Sequence, residues 1–117
     1  MNVEMTVVSL GDRLVKVTLV GRLDTQSVDR MEPQFLAHLV PGPNNAIIDL
    51  SGVDFVASMG IRMLVSAAKT LRTRQAKLAL YGAQTQVLQI LEAVSLRQIV
   101  PICPTEAEAL ATVAPAE

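Results

Sequence analysis

The chain has 117 residues, half of them hydrophobic, and a formal net charge of −1. That length fits one domain, residues 1–117, with core enough to fold without disulfides or metal. The basic residues are scattered, which excludes an electrostatic footprint for nucleic acid, and no apolar run approaches the ~18 residues of a membrane span. Phe35, Phe55 and Tyr81 are the only aromatic residues, so the core is expected to be aliphatic. Cys103 is the single cysteine and has no internal disulfide partner. With Glu4 near the start and no basic-then-apolar leader, the expected location is the cytoplasm.

Val3, Met5 and Val7 alternate with Glu4 and Thr6, the pattern of a half-buried strand. Gly11-Asp12 makes a turn, and Val15, Val17 and Leu19 alternate with Lys16 and Thr18, so the two segments form a hairpin. Gly21-Arg22-Leu23-Asp24 breaks the period. Val28, Met31, Phe35 and Leu39 then recur at steps of three and four, an amphipathic helix that Asp24 or Ser27 is placed to cap. Pro33 does not suit a helix interior, so this helix is expected to start late or to kink. Pro41-Gly42-Pro43-Asn44 ends it.

Ala46 to Leu50, apolar apart from Asp49, reads as a central strand covered by helices, with Ser51-Gly52 as the turn that ends it. A helix follows from about Met59 to Arg72, with Ile61, Leu64, Val65, Ala68 and Leu71 as its buried stripe. Met59, Met63, Ser66 and Thr70 lie opposite, with Arg62 and Lys69 alongside. Lys77 to Tyr81 is a short strand ended by Gly82, and Val87, Leu88, Leu91 and Val94 mark a third helix. Ile99 to Ile102 reads as an edge strand, because Pro101 cannot donate to a ladder. Thr105 and Glu108 form a capping box before a short helix carrying Ala109, Leu110 and Val113. Ala114 to Glu117 is read as a frayed end. Strands alternating with helices imply parallel pairing through right-handed crossovers. The expected class is therefore α/β: a mixed β-sheet with an N-terminal hairpin and about four α-helices. Ile47, Leu50, Ile61, Leu64, Val65 and Leu78 are expected to be buried.

Little of this suits metal or cofactor chemistry. His38 is the only histidine, distant in sequence from Cys103, and the glycines are too dispersed for a phosphate-cradling loop. No metal site and no cofactor are expected. Ser58 stands at the junction of the central strand and its helix, where a hydroxyl serves as a cap, a nucleophile or a modification site. A nucleophile needs a base and an orienting partner; Ser58 lacks the glycine spacing of a nucleophile elbow, and His38 lies on another helix. No catalytic residue is assigned. The other two roles are compatible, because the free N–H groups and dipole of a helix start that favour a cap also favour a phosphate. Gly60 presents no side chain to an approaching group. Met59 and Met63, beside Ser58, either form an adaptable binding surface or fold against neighbouring loops.

Four stretches together carry a resemblance. Gly21-Arg22-Leu23-Asp24, Asp49-Leu50-Ser51-Gly52-Val53-Asp54-Phe55, Ser58-Met59-Gly60-Ile61, and Val87 to Leu96 with Thr105 to Leu110 resemble, in order, the Gly-x-Leu-Asp, strand-and-loop, Ser-x-Gly-apolar and C-terminal helices of the STAS domain. This module is shared by sulphate transporters and bacterial anti-sigma factor antagonists (anti-anti-sigma factors). The resemblance implies a non-catalytic, partner-switching protein. The antagonist binds an anti-sigma factor that is also a serine kinase, so that the sigma factor is released; phosphorylation of Ser58 ends the complex and a phosphatase resets it. It implies a partner surface made of Asp24, Asp54, Ala57, Ser58, Met59, Gly60, Arg62 and Met63, on a monomer or weak dimer with no direct nucleic-acid contact and no membrane insertion. The alternative within the resemblance is a constitutive structural subunit of a transporter or sensory complex. Three positions depart from the pattern. Ala57 stands where the family commonly has aspartate, Met59 replaces a small polar residue, and Pro33 is atypical in the first helix.

Overall fold

Period-two apolar alternation in the N-terminal third of the chain, followed by three- and four-residue spacing, folds as a sheet with helices on both faces. The computed structural model describes residues 3–11, 13–39 and 45–114. Its strands are β1 (Glu4–Ser9), β2 (Leu14–Leu23), β3 (Asn45–Val56), β4 (Leu78–Tyr81) and β5 (Ile102–Cys103). Its helices are α1 (Thr25–Leu39), α2 (Ser58–Thr73), α3 (Thr85–Ala93) and α4 (Glu106–Val113), with a 3-10 turn at Leu96–Gln98. The sheet order is β1-β2-β3-β4-β5. The β1–β2 hairpin is antiparallel and the remaining pairs are parallel, so β3 is central, as its apolar run requires. The inferred turns and loops at Asp12 and at Pro41 to Asn44, and most of the proposed frayed end, lie outside the described residues.

Odd-numbered residues of β1 and β2 face the main core. Val17, Leu19, Phe35, Ile48, Leu50, Leu64 and Leu80 are buried there beneath α1, α2 and α3. The opposite face holds a smaller cluster, in which Ala109 and Val113 of α4 cover Ile47, Ala79 and Tyr81. Glu106 joins α4 to the sheet: its Oε1 accepts from Lys16 Nζ at 2.8 Å and from the Tyr81 hydroxyl at 3.0 Å. Burial, reinforced by the bond to Glu106, pushes the Tyr81 phenol up to about 12. Thr105 caps α4 by accepting from the Glu108 N–H at 3.3 Å.

Several sequence expectations need correction. β2 does not stop at Gly21 but runs through Leu23. Ser51-Gly52 is not a turn, because β3 is continuous to Val56. It carries two irregularities against β2: Thr18 and Val20 pair with Asp49 and Gly52, and Gly21 and Arg22 with Val53 and Phe55. Each inserts one extra residue into β3, as a β-bulge does. A Cβ on Gly52 would stand 2.9 Å from Val20 Cγ2, so a side chain there would have to displace Val20. α1 runs uninterrupted through Pro33; Pro33 and Asp29 are both exposed, so the Asp29 carbonyl that loses its helical donor is accessible to water. Of the segment from Ile99 to Ile102 only Ile102 is in a strand, because the chain leaves the 3-10 turn through Ile99 and Val100, which donate back to Leu96.

The largest correction concerns α2. Ile47, Leu50, Leu64 and Leu78 are buried as expected, but Ile61 and Val65 are only half-buried. The buried stripe is Gly60, Met63, Leu64, Ala67, Ala68 and Leu71, rotated by about one residue from the expected one. α2 packs on α1 as well as on the sheet. Its small residues allow close approach, and flexible Met63 fills the remaining space. Met63 is wholly buried and has no place on an exposed surface.

Gly60 sets the approach of α2. A Cβ there would stand 2.9 Å from both the Leu23 Cβ and the Leu23 carbonyl oxygen, and that oxygen belongs to backbone that cannot swing aside. Gly60→Ala should therefore destabilise the fold by about 1–3 kcal/mol, the usual penalty for overpacking, read as a lower urea midpoint. An unchanged midpoint would mean that the helix can slide away from β2 freely.

Candidate functional site

Two adjacent parallel strands, β2 and β3, each lead directly into a helix, so α1 and α2 begin side by side at the carboxyl edge of the sheet. In open α/β sheets this edge is where ligands and partners are received. At the first junction, Asp24 Oδ1 accepts from the Ser27 N–H at 3.0 Å, and the Ser27 hydroxyl accepts in return from the Asp24 N–H at 3.0 Å. This is the reciprocal arrangement of a capping box, with both residues taking part. Ser27 is buried and its hydroxyl also donates to the Arg22 carbonyl. The bonds from Ser27 hold the Asp24 carboxyl below the usual carboxylate range.

The second junction is built differently. The Ala57 N–H donates to the Leu23 carbonyl at 2.9 Å, and the Ala57 carbonyl accepts the first helical bond, from the Ile61 N–H at 3.1 Å. Ala57, in extended conformation, is the N-cap and provides no side-chain bond. Ser58 is thus the first helical residue rather than the cap, because strand-like pairing persists through Ala57. Its side chain is exposed, at a helix end whose first N–H groups have no intrahelical acceptor.

Ser58 lies on the rim of a groove of about 480 Å³ lined by Phe55, Val56, Ala57, Ser58, Ile61, Ile90 and Val94. Apart from the serine its lining is apolar, and Val94 is 50% exposed. Arg22 stacks over the Phe55 ring, 4.2 Å from its centroid, and its Nε is 3.8 Å from Asp24 Oδ2. The chain Asp24–Arg22–Phe55 therefore links the first junction to the groove at the second.

The eight residues assigned to the partner surface are brought to this edge unequally. Ser58, Asp54 and Arg62 are exposed, and Asp54 occupies the extra position of the second bulge. Asp24, Ala57 and Met59 are half-buried, and Met59 packs against the main core. Gly60 and Met63 are buried. The apolar surface beside Ser58 is thus not formed by the methionines. Phe55, Ile61, Ile90 and Val94 form it instead, together with Arg22. Both Ile61 and Val94 are apolar, but the spacing places Ile61 in the buried stripe of α2 and marks Val94 only as part of the third helix.

A family model described as the STAS domain matches residues 5–109. The anti-sigma-B factor antagonist of Listeria monocytogenes is 25% identical over 108 residues, 92% of this chain and 95% of that protein. An anti-sigma factor antagonist from Mycobacterium paratuberculosis superposes with a TM-score of 0.85 at 22% identity, covering 97% of this chain and 95% of that one. The anti-sigma factor antagonist SpoIIAA superposes in its unphosphorylated form with a TM-score of 0.78 at 18% identity, covering 94% and 96%. The phosphorylated form of SpoIIAA, from Bacillus, gives 0.71 at 17%, covering 94% and 99%. All three structures share the fold with this chain.

The Asp24–Ser27 pair makes one junction sensitive to acid. A carboxyl whose folded pKa is depressed contributes stability above its unfolded pKa and loses it as the pH falls through the folded value. Asp24→Ala should lower the urea midpoint at pH 7, and the gap to wild type should close as the pH falls below the usual carboxylate range. A gap that stays constant down to pH 2 would show that the Asp24 charge contributes nothing.

Proposed function

The chain belongs to the STAS domain family, and from that membership we propose that it is an anti-sigma factor antagonist switched by phosphorylation of Ser58. The observation that carries the proposal is the position of the hydroxyl: exposed, at the first residue of α2, on the rim of an apolar groove. The partner is an anti-sigma factor that is also a serine kinase. It covers the groove and Ser58 while the serine is unmodified, and the sigma factor is released. The antagonist catalyses nothing itself. A phosphatase restores the free hydroxyl.

The switch follows from charge and desolvation. Phosphorylation adds roughly −1.5 to −2 charges at pH 7 on a rim that otherwise presents apolar atoms. Asp54, four residues earlier and exposed, adds to the negative field. A partner surface shaped for a neutral hydroxyl then has to bury a dianion without a counter-charge, a penalty of several kcal/mol that corresponds to about 100-fold or more in affinity. The fold need not change. Ala57, which replaces the family's common aspartate, leaves the groove less acidic before modification and suits a partner whose contact there is apolar.

Ser58→Ala should retain binding to the anti-sigma partner and lose phosphate incorporation. Because Ser58 is exposed and provides no cap, its effect on stability should stay within about 0.5 kcal/mol. Ser58→Asp and Ser58→Glu should weaken binding, though less than phosphate, since a carboxylate carries about one charge and fewer acceptor oxygens. The measurements are affinity by calorimetry and phosphate location by mass spectrometry, with purified partner and ATP. Phosphate uptake by Ser58→Ala at wild-type stoichiometry would place the switch elsewhere. If authentic phosphorylation at Ser58 left the affinity unchanged, the chain would instead be a constitutive subunit.

A further inference from the structure

The two edges of the sheet are unlike. β5 is two residues long, a short edge of the kind that resists further pairing. β1 is six residues long, Glu4–Ser9, and pairs with β2 in unbroken register without a bulge. It contains no proline, lysine or arginine. Among the described residues no strand pairs with its outer side. Among the described residues, three of the four large exposed hydrophobic residues, Val8, Leu10 and Val20, belong to this hairpin, and none of the three is in the α4 cluster. The strand therefore has none of the devices that keep an edge from pairing, apart from the charge of Glu4.

We propose that β1 pairs antiparallel with β1 of a second copy of this chain, across a two-fold axis at Thr6. Side chains on one face must stay on that face across an antiparallel pair, so opposed residue numbers must add to an even total. Two such registers overlap five residues of β1, about Val7 or about Thr6; about Val7, Met5 would face the partner's Ser9, so Thr6 is placed opposite the partner's Thr6. Glu4 then faces the partner's Val8, and Met5 faces the partner's Val7. On the core side this continues each row with apolar residues: Leu19 and Met5 meet the partner's Val7 and Val17, from the registered pairs Met5–Leu19 and Val7–Val17. On the open side the pair Thr6–Thr18 becomes a ladder of four threonines through the axis, a favourable cross-strand combination. The contact is self-complementary, as a two-fold interface must be. The axis stands normal to the sheet, so the two Ser58 edges point in opposite directions and both stay accessible. The pairing does not depend on the phosphorylation reading.

Light scattering across a dilution series should give a mass rising toward twice the 12.6 kDa of one chain. Thr6→Lys sets two like charges face to face at the axis. It should give the one-chain mass with wild-type circular dichroism, because Thr6 is exposed in the single chain. A second arm reads the register in a Cys103→Ala background. There Thr6→Cys should close an intermolecular disulfide in air, since directly opposed residues lie roughly 4.5–5.5 Å apart, inside the disulfide range. Glu4→Cys, facing the partner's Val8, should not. A one-chain mass for wild type at every concentration overturns the proposal. So does a Thr6→Lys variant that stays paired, or Glu4→Cys closing as readily as Thr6→Cys.

Discussion

The contact between Leu23 and the start of α2 sets the geometry of everything around Ser58. Its carbonyl accepts the Ala57 N–H, which draws the end of β3 alongside β2, and the same backbone leaves no room for a side chain on Gly60. A hydrogen bond and a steric limit thus act on one peptide unit. Together they decide where the strand ends, where the helix begins and how closely the helix lies on the sheet. Ser58, two residues before Gly60 in the same turn, is left exposed.

The neighbouring junction has the opposite design. Asp24 and Ser27 satisfy each other's backbone N–H groups, so the start of α1 is closed by its own side chains. The start of α2 has a cap residue, Ala57, that offers its side chain nothing to bond. Of two helix N-termini at one sheet edge, one is chemically occupied and the other presents an unengaged positive dipole end next to a hydroxyl. That asymmetry is the electrostatic setting in which a phosphate would be accommodated on the chain itself while offending a partner that has to desolvate it.

Coverage of the sheet is also asymmetric. Three helices share one face, and a helix of eight residues, α4, serves the other. Lys16 and Tyr81 converge on Glu106. The ion pair is partly exposed, with 25% and 42% of its side-chain surfaces accessible, so solvent and salt weaken it. It orients α4, while burial of Ala109 and Val113 against Ile47 and Ala79 supplies the apolar adhesion. Since α4 follows β5 at the far side of the sheet, it reaches the β1–β2 hairpin only at Leu14 and Lys16 of β2, and Val8, Leu10 and Val20 lie outside its cluster. These three residues are left exposed.

The order of elements, the mixed sheet, the central place of β3 and the position of Ser58 at a strand-to-helix junction were all legible in the sequence. Alternation along β1 and β2, the apolar run at Ala46 to Leu50 and the Thr105 cap are local signals, and local physics produces them. The extent of β3 was not legible: Ser51-Gly52 has the composition of a turn, and only pairing with β2 carries the strand through it as a bulge. Nor was the face of α2. Two readings of its apolar spacing, one residue apart, fit the same helix. Packing against both α1 and the sheet selected the one that buries Met63 and leaves Ile61 beside Ser58. The groove itself joins Phe55 and Ile61 to Ile90 and Val94. Residues so far apart in sequence meet only when β3, α2 and α3 are assembled, because a surface shared by three elements has no period along the chain.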